Sequence, residues 1–161
     1  MMNIRHATLQ DVETIAKIEA ASYPAVEGAS KESIEKRVTV FPNHFWLLED
    51  EGKMLGFING MVTNERDLTD EMYDHAEMHD DTGKWLMIFS VVTAPEYRRK
   101  GYAGMIMKQV IEDARTEHRE GIVLTCKERL LPFYGSFGYE NEGISKSVHG
   151  DAVWYQMRLT F

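Results

Sequence analysis

The hexapeptide Arg98-Arg99-Lys100-Gly101-Tyr102-Ala103 sets three cations and a glycine directly ahead of a helical pattern. A helix N-terminus exposes unpaired N–H groups and the positive end of its dipole, and a glycine beside it lets the backbone approach an anion closely. A pyrophosphate suits that chemistry. The small residues Ala103 and Gly104 keep side chains out of its way. The segment has no G-x-G-x-x-G fingerprint and no Walker-type lysine followed by serine or threonine. Neither a nicotinamide nor a nucleoside triphosphate site is indicated, so a phosphate-bearing cofactor of another kind is expected.

Such a turn needs a rigid strand to launch it and a helix to supply the amides. Trp85 to Val92 is nearly continuous in apolar residues, as for a strand covered on both faces in the middle of a sheet. Ala103, Ile106, Met107, Val110, Ile111 and Ala114 then recur at helical spacing, and Gly121 to Cys126 reads as another buried strand. Residues 85–126 therefore form a strand–helix–strand unit with parallel strands and a right-handed crossover. The turn leaves the carboxyl end of the central strand, where ligands settle in open α/β sheets.

Upstream, Ile4 to Ala7 reads as a short strand, and Thr8 with Asp11 as a capping box opening a helix that buries Val12, Ile15, Ala16 and Ile18. A second helix is expected from Ser30 to about Val38. Strands near His44 to Glu49 and Met54 to Thr63 pair as a hairpin around Glu51-Gly52-Lys53. Asn64 to Gly83 carries ten acidic residues or histidines and reads as a solvated excursion. Downstream come a short helix from about Arg129 to Phe137 and a last strand pair around His149-Gly150-Asp151. In it Val153, Tyr155, Met157 and Leu159 alternate with polar or interfacial residues.

The chain has 161 residues, 43% hydrophobic and 27% charged, which suits one compact domain over residues 1–161 with a sizeable core. No apolar run reaches the length of a membrane helix and no secretion signal opens the sequence, so a soluble cytoplasmic protein is expected, without membrane attachment. A net charge of -8 opposes binding to nucleic acid, and any polyanion contact must be local. Cys126 is the single cysteine, which excludes an internal disulfide and a cysteine-cluster zinc site, and on an apolar strand it reads as an inert packing thiol. His75 and His79 match no zinc or calcium spacing, so no metal is expected.

The chain resembles the GCN5-related N-acetyltransferases (GNAT superfamily). Their coenzyme loop, Q/R-x-x-G-x-G/A, is met by Arg98, Gly101 and Ala103, and Cys126 to Tyr139 resembles their C-terminal signature through Tyr134 and Phe137-Gly138-Tyr139. Within the superfamily the resemblance extends over the whole chain and is closest to the arylalkylamine (serotonin-type) enzymes. It implies an α/β GNAT fold: a mixed, mostly antiparallel central sheet with one parallel strand–helix–strand unit and flanking helices. It further implies transfer of an acetyl group from acetyl-CoA, as co-substrate, to a primary amine by direct attack, in a monomer or homodimer.

Residue by residue, the resemblance assigns pairing with the pantetheine arm to the backbone of Val91, Val92 and Thr93. Pyrophosphate contacts fall on Arg98, Arg99, Lys100, Gly101, Tyr102, Ala103 and Gly104. Tyr134 takes the place of the general acid, protonating the departing thiolate. Tyr23 and Glu27, between the two early helices, offer an aromatic face and a carboxylate to a hydrophobic small-molecule amine, with Met87 and Phe89 as its apolar wall. The likeness departs at the proton relay of the arylalkylamine enzymes, whose two histidines and serine fall here on Met87, Phe89 and Met61. The amine arrives neutral, or Glu27, His75 or His149 is the base, or the acceptor is of another kind. A polyamine, an amino sugar or a protein amino group is the alternative acceptor, and a coenzyme-binding module without turnover the alternative class.

Overall fold

The computed structural model describes residues 1–24 and 26–161. Seven strands form one sheet in the order β1-β2-β3-β4-β5-β7-β6. They are β1 (Met2–His6), β2 (Phe45–Asp50), β3 (Lys53–Thr63), β4 (Trp85–Thr93), β5 (Gly121–Cys126), β6 (Glu140–Ile144) and β7 (Tyr155–Thr160). The helices are α1 (Val12–Ser22), α2 (Lys31–Val40), α3 (Asp70–Asp74), α4 (Tyr102–Thr116) and α5 (Leu131–Gly135). All neighbouring strands are antiparallel except β4 and β5, which are parallel. The expected strand–helix–strand unit is thus β4-α4-β5.

α4 buries Ile106, Met107, Val110 and Ala114 against one face of the sheet, together with Leu86 and Ile88 of β4. α1 and α2 cover the other face through Val12, Ile15, Ile34 and Val38. Three features open the sheet where α1, α2 and α4 converge. The β4–β5 pairing holds only for Trp85–Gly121, Leu86–Ile122 and Met87–Val123, after which the two strands part. On the β3 side, Asn59 faces Ser90 but Gly60 faces Ile88, so Phe89 is an extra residue and β4 bulges there. A Cβ at Gly60 would overlap the Met87 carbonyl, so only glycine lets β3 lie this close to the bulge.

Two expectations are corrected. Residues 64–83 are folded rather than a solvated excursion. Leu68, Met72 and Ala76 recur every fourth residue and bury against Phe41, Met61, Trp85 and Met87, while the acidic residues face outward. The last strands are joined by a long connection instead of a tight hairpin around His149. β7 begins at Tyr155, leaving Val153 61% exposed. Asp70 of α3 clamps that connection, accepting from the Ser147 hydroxyl and from the Val148 amide.

A histidine pair ties the amino end of the central strands to the end of α4. His44 Nε2 lies 3.0 Å from Glu117 Oε1, and the Val62 amide donates to His79 Nδ1 at 3.0 Å. An acceptor at Nδ1 puts the proton of His79 on Nε2, beside Asp81. Burial holds this imidazole below its usual pKa, helped by His44 and Arg119 and opposed by Asp81. The unfolded chain then takes up this proton at higher pH than the folded one, so the contribution is complete above about pH 6.5 and fades as the pH falls below it. The denaturation midpoint is expected to drop between about pH 7.5 and pH 5.5, and to drop less in His79→Gln, whose carbonyl can still accept from Val62. Glu117, held low by His44, gives way only at more acid pH, and Glu19, pushed up by burial, acts in the opposite direction. The difference between parent and variant therefore isolates His79; parallel midpoints would remove it from the effect.

Candidate active site

Where β4 and β5 part, a cavity of about 420 Å³ opens, bounded by α1, α2, α3, α5 and the β6–β7 connection. Of the residues singled out in the sequence, Tyr23, Glu27, Phe89, Val91, Cys126, Tyr134 and His149 line it. Met87 does not, which corrects its assignment to the acceptor wall: it precedes the bulge, is fully buried, and packs with Phe41, Met61 and Trp85. Val92 likewise turns its side chain into the core beneath α1 and α2.

Tyr134 sits in α5, a short helix with Pro132 in its first turn and followed by Gly138 at φ 100°, a conformation that favours glycine. Its ring meets Phe133 and Tyr139 edge-on, at 5.0 and 5.9 Å between centroids. Burial raises its pKa well above the usual phenol value, so the hydroxyl keeps its proton throughout the neutral range. Beyond Met87 the β5-facing edge of β4 carries no strand, while β3 continues along the other edge as far as Thr93. Tyr23 reaches this stretch, its hydroxyl donating to the Val91 carbonyl at 3.4 Å.

The cationic turn lies past the end of β4, outside the cavity lining. Arg99 and Gly101 both adopt left-handed backbone, at φ 66° and 80°. Gly101 caps α4 without a side chain to bond its first amides, and Arg98, Arg99 and Lys100 are exposed. Successive turns of this kind aim N–H groups toward one concavity, and a 15-residue helix adds its dipole. A Cβ on Gly101 would meet nothing within 4 Å, so the ground before the helix is open.

At the opposite wall, two loops are latched together. Lys127 Nζ lies 2.8 and 3.1 Å from the two oxygens of the Glu27 carboxylate, and its charge faces the Trp154 ring at 5.7 Å. His149 Nε2 donates to the Glu27 carbonyl at 2.6 Å, and its ring stacks on Tyr73 at 5.0 Å. Because a carbonyl only accepts, Nε2 is the donor of this contact and that edge of the ring is committed to the latch. Gly150, at φ 63°, completes the latch; a Cβ there would come within 2.5 Å of Glu27 Cγ. His75 is brought elsewhere, to an outer pair with Glu77, its side chain 51% exposed.

The family model that describes an acetyltransferase (GNAT) family matches residues 12–139. The chain belongs to the GNAT acetyltransferase family. The serotonin N-acetyltransferase of Mesocricetus auratus is 23% identical over 160 residues, covering 97% of this chain and 76% of the relative. Among solved structures, the loading GNATL domain of CurA from Lyngbya majuscula superposes with a TM-score of 0.85 at 16% identity, covering 99% of this chain and 98% of that one. The GphF GNAT-like decarboxylase, solved with isobutyryl-CoA, also gives 0.85, at 21% identity over 98% of both chains. At these identities the likeness is one of fold.

For this GNAT chain, three cavity residues lie beyond the reach of motif reading: Glu19, Arg37 and Tyr73. Glu19 and Arg37 are nearly inaccessible, at 3% exposure each. Arg37 donates to Asn59 Oδ1 and to the Tyr73 carbonyl, both at 3.1 Å, with its guanidinium 4.7 Å above the Phe89 ring. The signal for Glu19 is positional: it follows Val12 and Ile15 by seven and four residues, on the buried face of α1. Cys126 also borders the cavity, but burial pushes its thiol up to about 11, which leaves it unreactive near neutrality.

A second cluster, away from the cavity, brings donor atoms of His44, His79 and Asp81 within 4.8 Å of one another. His79 Nδ1 already accepts from Val62, so binding a cation through Nε2 would require the ring to lose its last proton, and Arg119 adds its positive charge nearby. Metal-bound histidines instead donate through their second nitrogen. This donor set does not fit a metal. No helix among the described residues is long and apolar enough to cross a membrane.

Proposed function

We propose that the protein is an acetyl-CoA-dependent N-acetyltransferase acting on a small, hydrophobic primary amine. The observation that carries this reading is the unpaired edge of β4, which runs between the amide-rich start of α4 and the cavity holding Tyr134. The coenzyme is a diphosphate with a thioester at the end of a long amide-bearing arm, and these three places suit its three parts. The amides of residues 99–104 hold the diphosphate, with Arg98 completing the turn. The backbone of Val91, Val92 and Thr93 pairs with the arm as a further strand would. That brings the thioester to the parting of β4 and β5, in front of Tyr134.

The acceptor enters from the side of the Glu27 latch. Tyr23, Tyr73, Phe89 and Trp154 give the cavity an aromatic lining that suits an apolar amine, and its volume suits a small one. The amine nitrogen bonds to the carbonyl carbon, and the carbon–sulfur bond breaks. Tyr134 gives its phenolic proton to the leaving sulfur and is reprotonated by the proton that the acylated nitrogen sheds as it becomes an amide. Holding both reactants in one cavity supplies much of the acceleration, because positioning alone removes a large entropic barrier.

The test follows thiol release from acetyl-CoA across a panel of arylalkylamines, polyamines, amino sugars and short peptides. Release with arylalkylamines above all others is the expected result. Release only with peptides would overturn the small-amine assignment, and none with any amine despite coenzyme binding would make the protein a binding module.

A further inference from the structure

Resting on the transfer reading above, we infer that Glu19 is the group that takes the proton from the incoming ammonium. A primary alkylamine is cationic near neutral pH and cannot attack a thioester until that proton leaves. The two methionines and the phenylalanine at the relay positions cannot accept it. Glu27 is held by Lys127, and His149 is turned through Nε2 to the latch.

Glu19 is a buried carboxylate within the cavity wall. Its Oε2 accepts from the Ala29 amide at 2.8 Å, while Oε1 has no partner among the described residues. Buried polar atoms are seldom left so, and exceptions concentrate at working sites. Tyr23, the residue that ends α1, touches the Val91 carbonyl, and Glu19 lines the same cavity as Ser90, the residue before Val91. It therefore sits next to the stretch of β4 that presents the thioester.

A polar chain supports it from beneath. Arg37 donates to Asn59, and Asn59 Nδ2 donates to Ser90 Oγ at 2.6 Å, which leaves the Ser90 hydroxyl its own proton in the cavity that Glu19 also lines. The chain ends on a cation, so the carboxylate is charge-compensated without being bridged by it. The ionisable groups facing Glu19 are Arg37 from α2, Tyr23 from the cap that ends α1, Tyr73 from α3 and His149 from the β6–β7 connection. Burial raises its pKa against the Ala29 amide, Arg37, Ser90 and His149, which lower it, and a carboxylate moved toward neutrality is a better base. In the step, an ammonium N–H bond breaks, its electron pair stays on nitrogen, and the proton adds to the carboxylate. The neutral amine then attacks, and the carboxylic acid returns its proton to water after the products leave.

The test compares parent and Glu19→Gln with two acceptors of similar shape near pH 7.5: a 2-arylethylamine, which is cationic, and O-benzylhydroxylamine, which is neutral. The amide oxygen of the new side chain can still accept from Ala29, so folding should survive. The variant is expected to lose at least about 10-fold in kcat/KM with the cationic amine, less as the pH rises toward that amine's own pKa, and little with the neutral one. Its KM for acetyl-CoA should stay unchanged. Ser90→Ala, which removes the hydroxyl that faces the carboxylate, should show the same selectivity between acceptors on a smaller scale, and it serves if Glu19→Gln fails to fold. Equal losses with both acceptors, or none, would overturn the role of Glu19. No turnover by the parent with either acceptor would overturn the transfer reading itself.

Discussion

Tyr134→Phe is expected to reduce turnover by about 10²-fold or more while leaving acetyl-CoA affinity and the unfolding midpoint near parental values. The change removes one oxygen and keeps the ring, so the edge contacts with Phe133 and Tyr139 survive. No hydrogen bond to the Tyr134 hydroxyl is formed by another described residue, so its loss strands no partner in the folded state. What disappears is the only proton this ring can offer to a leaving sulfur. Because burial holds the phenol neutral, the parental rate should show no loss of a protonated acid up to about pH 9, and any fall on the alkaline side must come from another group. Single-turnover thiol release with saturating coenzyme separates this effect from binding. Parental turnover in the variant would remove Tyr134 from the chemistry; a matching loss of coenzyme affinity would make its role one of positioning.

The cationic turn and α4 were legible because their signals are contiguous: a glycine between cations, followed by apolar residues at one spacing. The cavity was less so. It depends on Phe89 being a bulge and on β4 leaving β5 after Met87, and neither shows in hydropathy, since Met87 and Phe89 look alike in a run of apolar residues. The bulge decides that Phe89 reaches the cavity and Met87 does not. Residues 64–83 mislead for a different reason. Ten polar positions outweigh Leu68, Met72 and Ala76 in composition, yet three residues at a spacing of four are enough to fasten a segment to the sheet.

Glu19 illustrates the converse error. A charged residue on the buried stripe of α1 breaks the amphipathic pattern, and such breaks are where local rules yield to a site. Its carboxylate is held by the Ala29 amide, ten residues on, and shares its cavity with Ser90 of the central strand, so no local window contains them. The latch is equally nonlocal. His149 is held over the cavity by Tyr73 and Glu27, and its loop by Asp70, residues that lie far from it along the chain.

Ala103→Glu should separate coenzyme binding from stability by moving them in opposite directions. Position 103 lies in the first turn of α4, where a carboxylate interacts favourably with the helix dipole and adds about 0.3–1 kcal/mol. Gly101 supplies no capping side chain, so the new carboxylate has free amides to approach, and the unfolding midpoint should hold or rise. The same amides are those proposed to grip the diphosphate. Filling them with a fixed negative charge both occupies the cradle and repels the ligand, so the Kd for acetyl-CoA should rise by about 10²-fold or more, the equivalent of roughly 2.7 kcal/mol. Ala103→Gln, similar in size but neutral, should weaken binding less, and the gap between the two should narrow as salt screens the repulsion. Calorimetric titration with acetyl-CoA, beside thermal melts of the three proteins, reads both quantities. An unchanged Kd in Ala103→Glu, with α4 intact, would place the diphosphate away from the start of α4 and remove the footing of the proposed reaction.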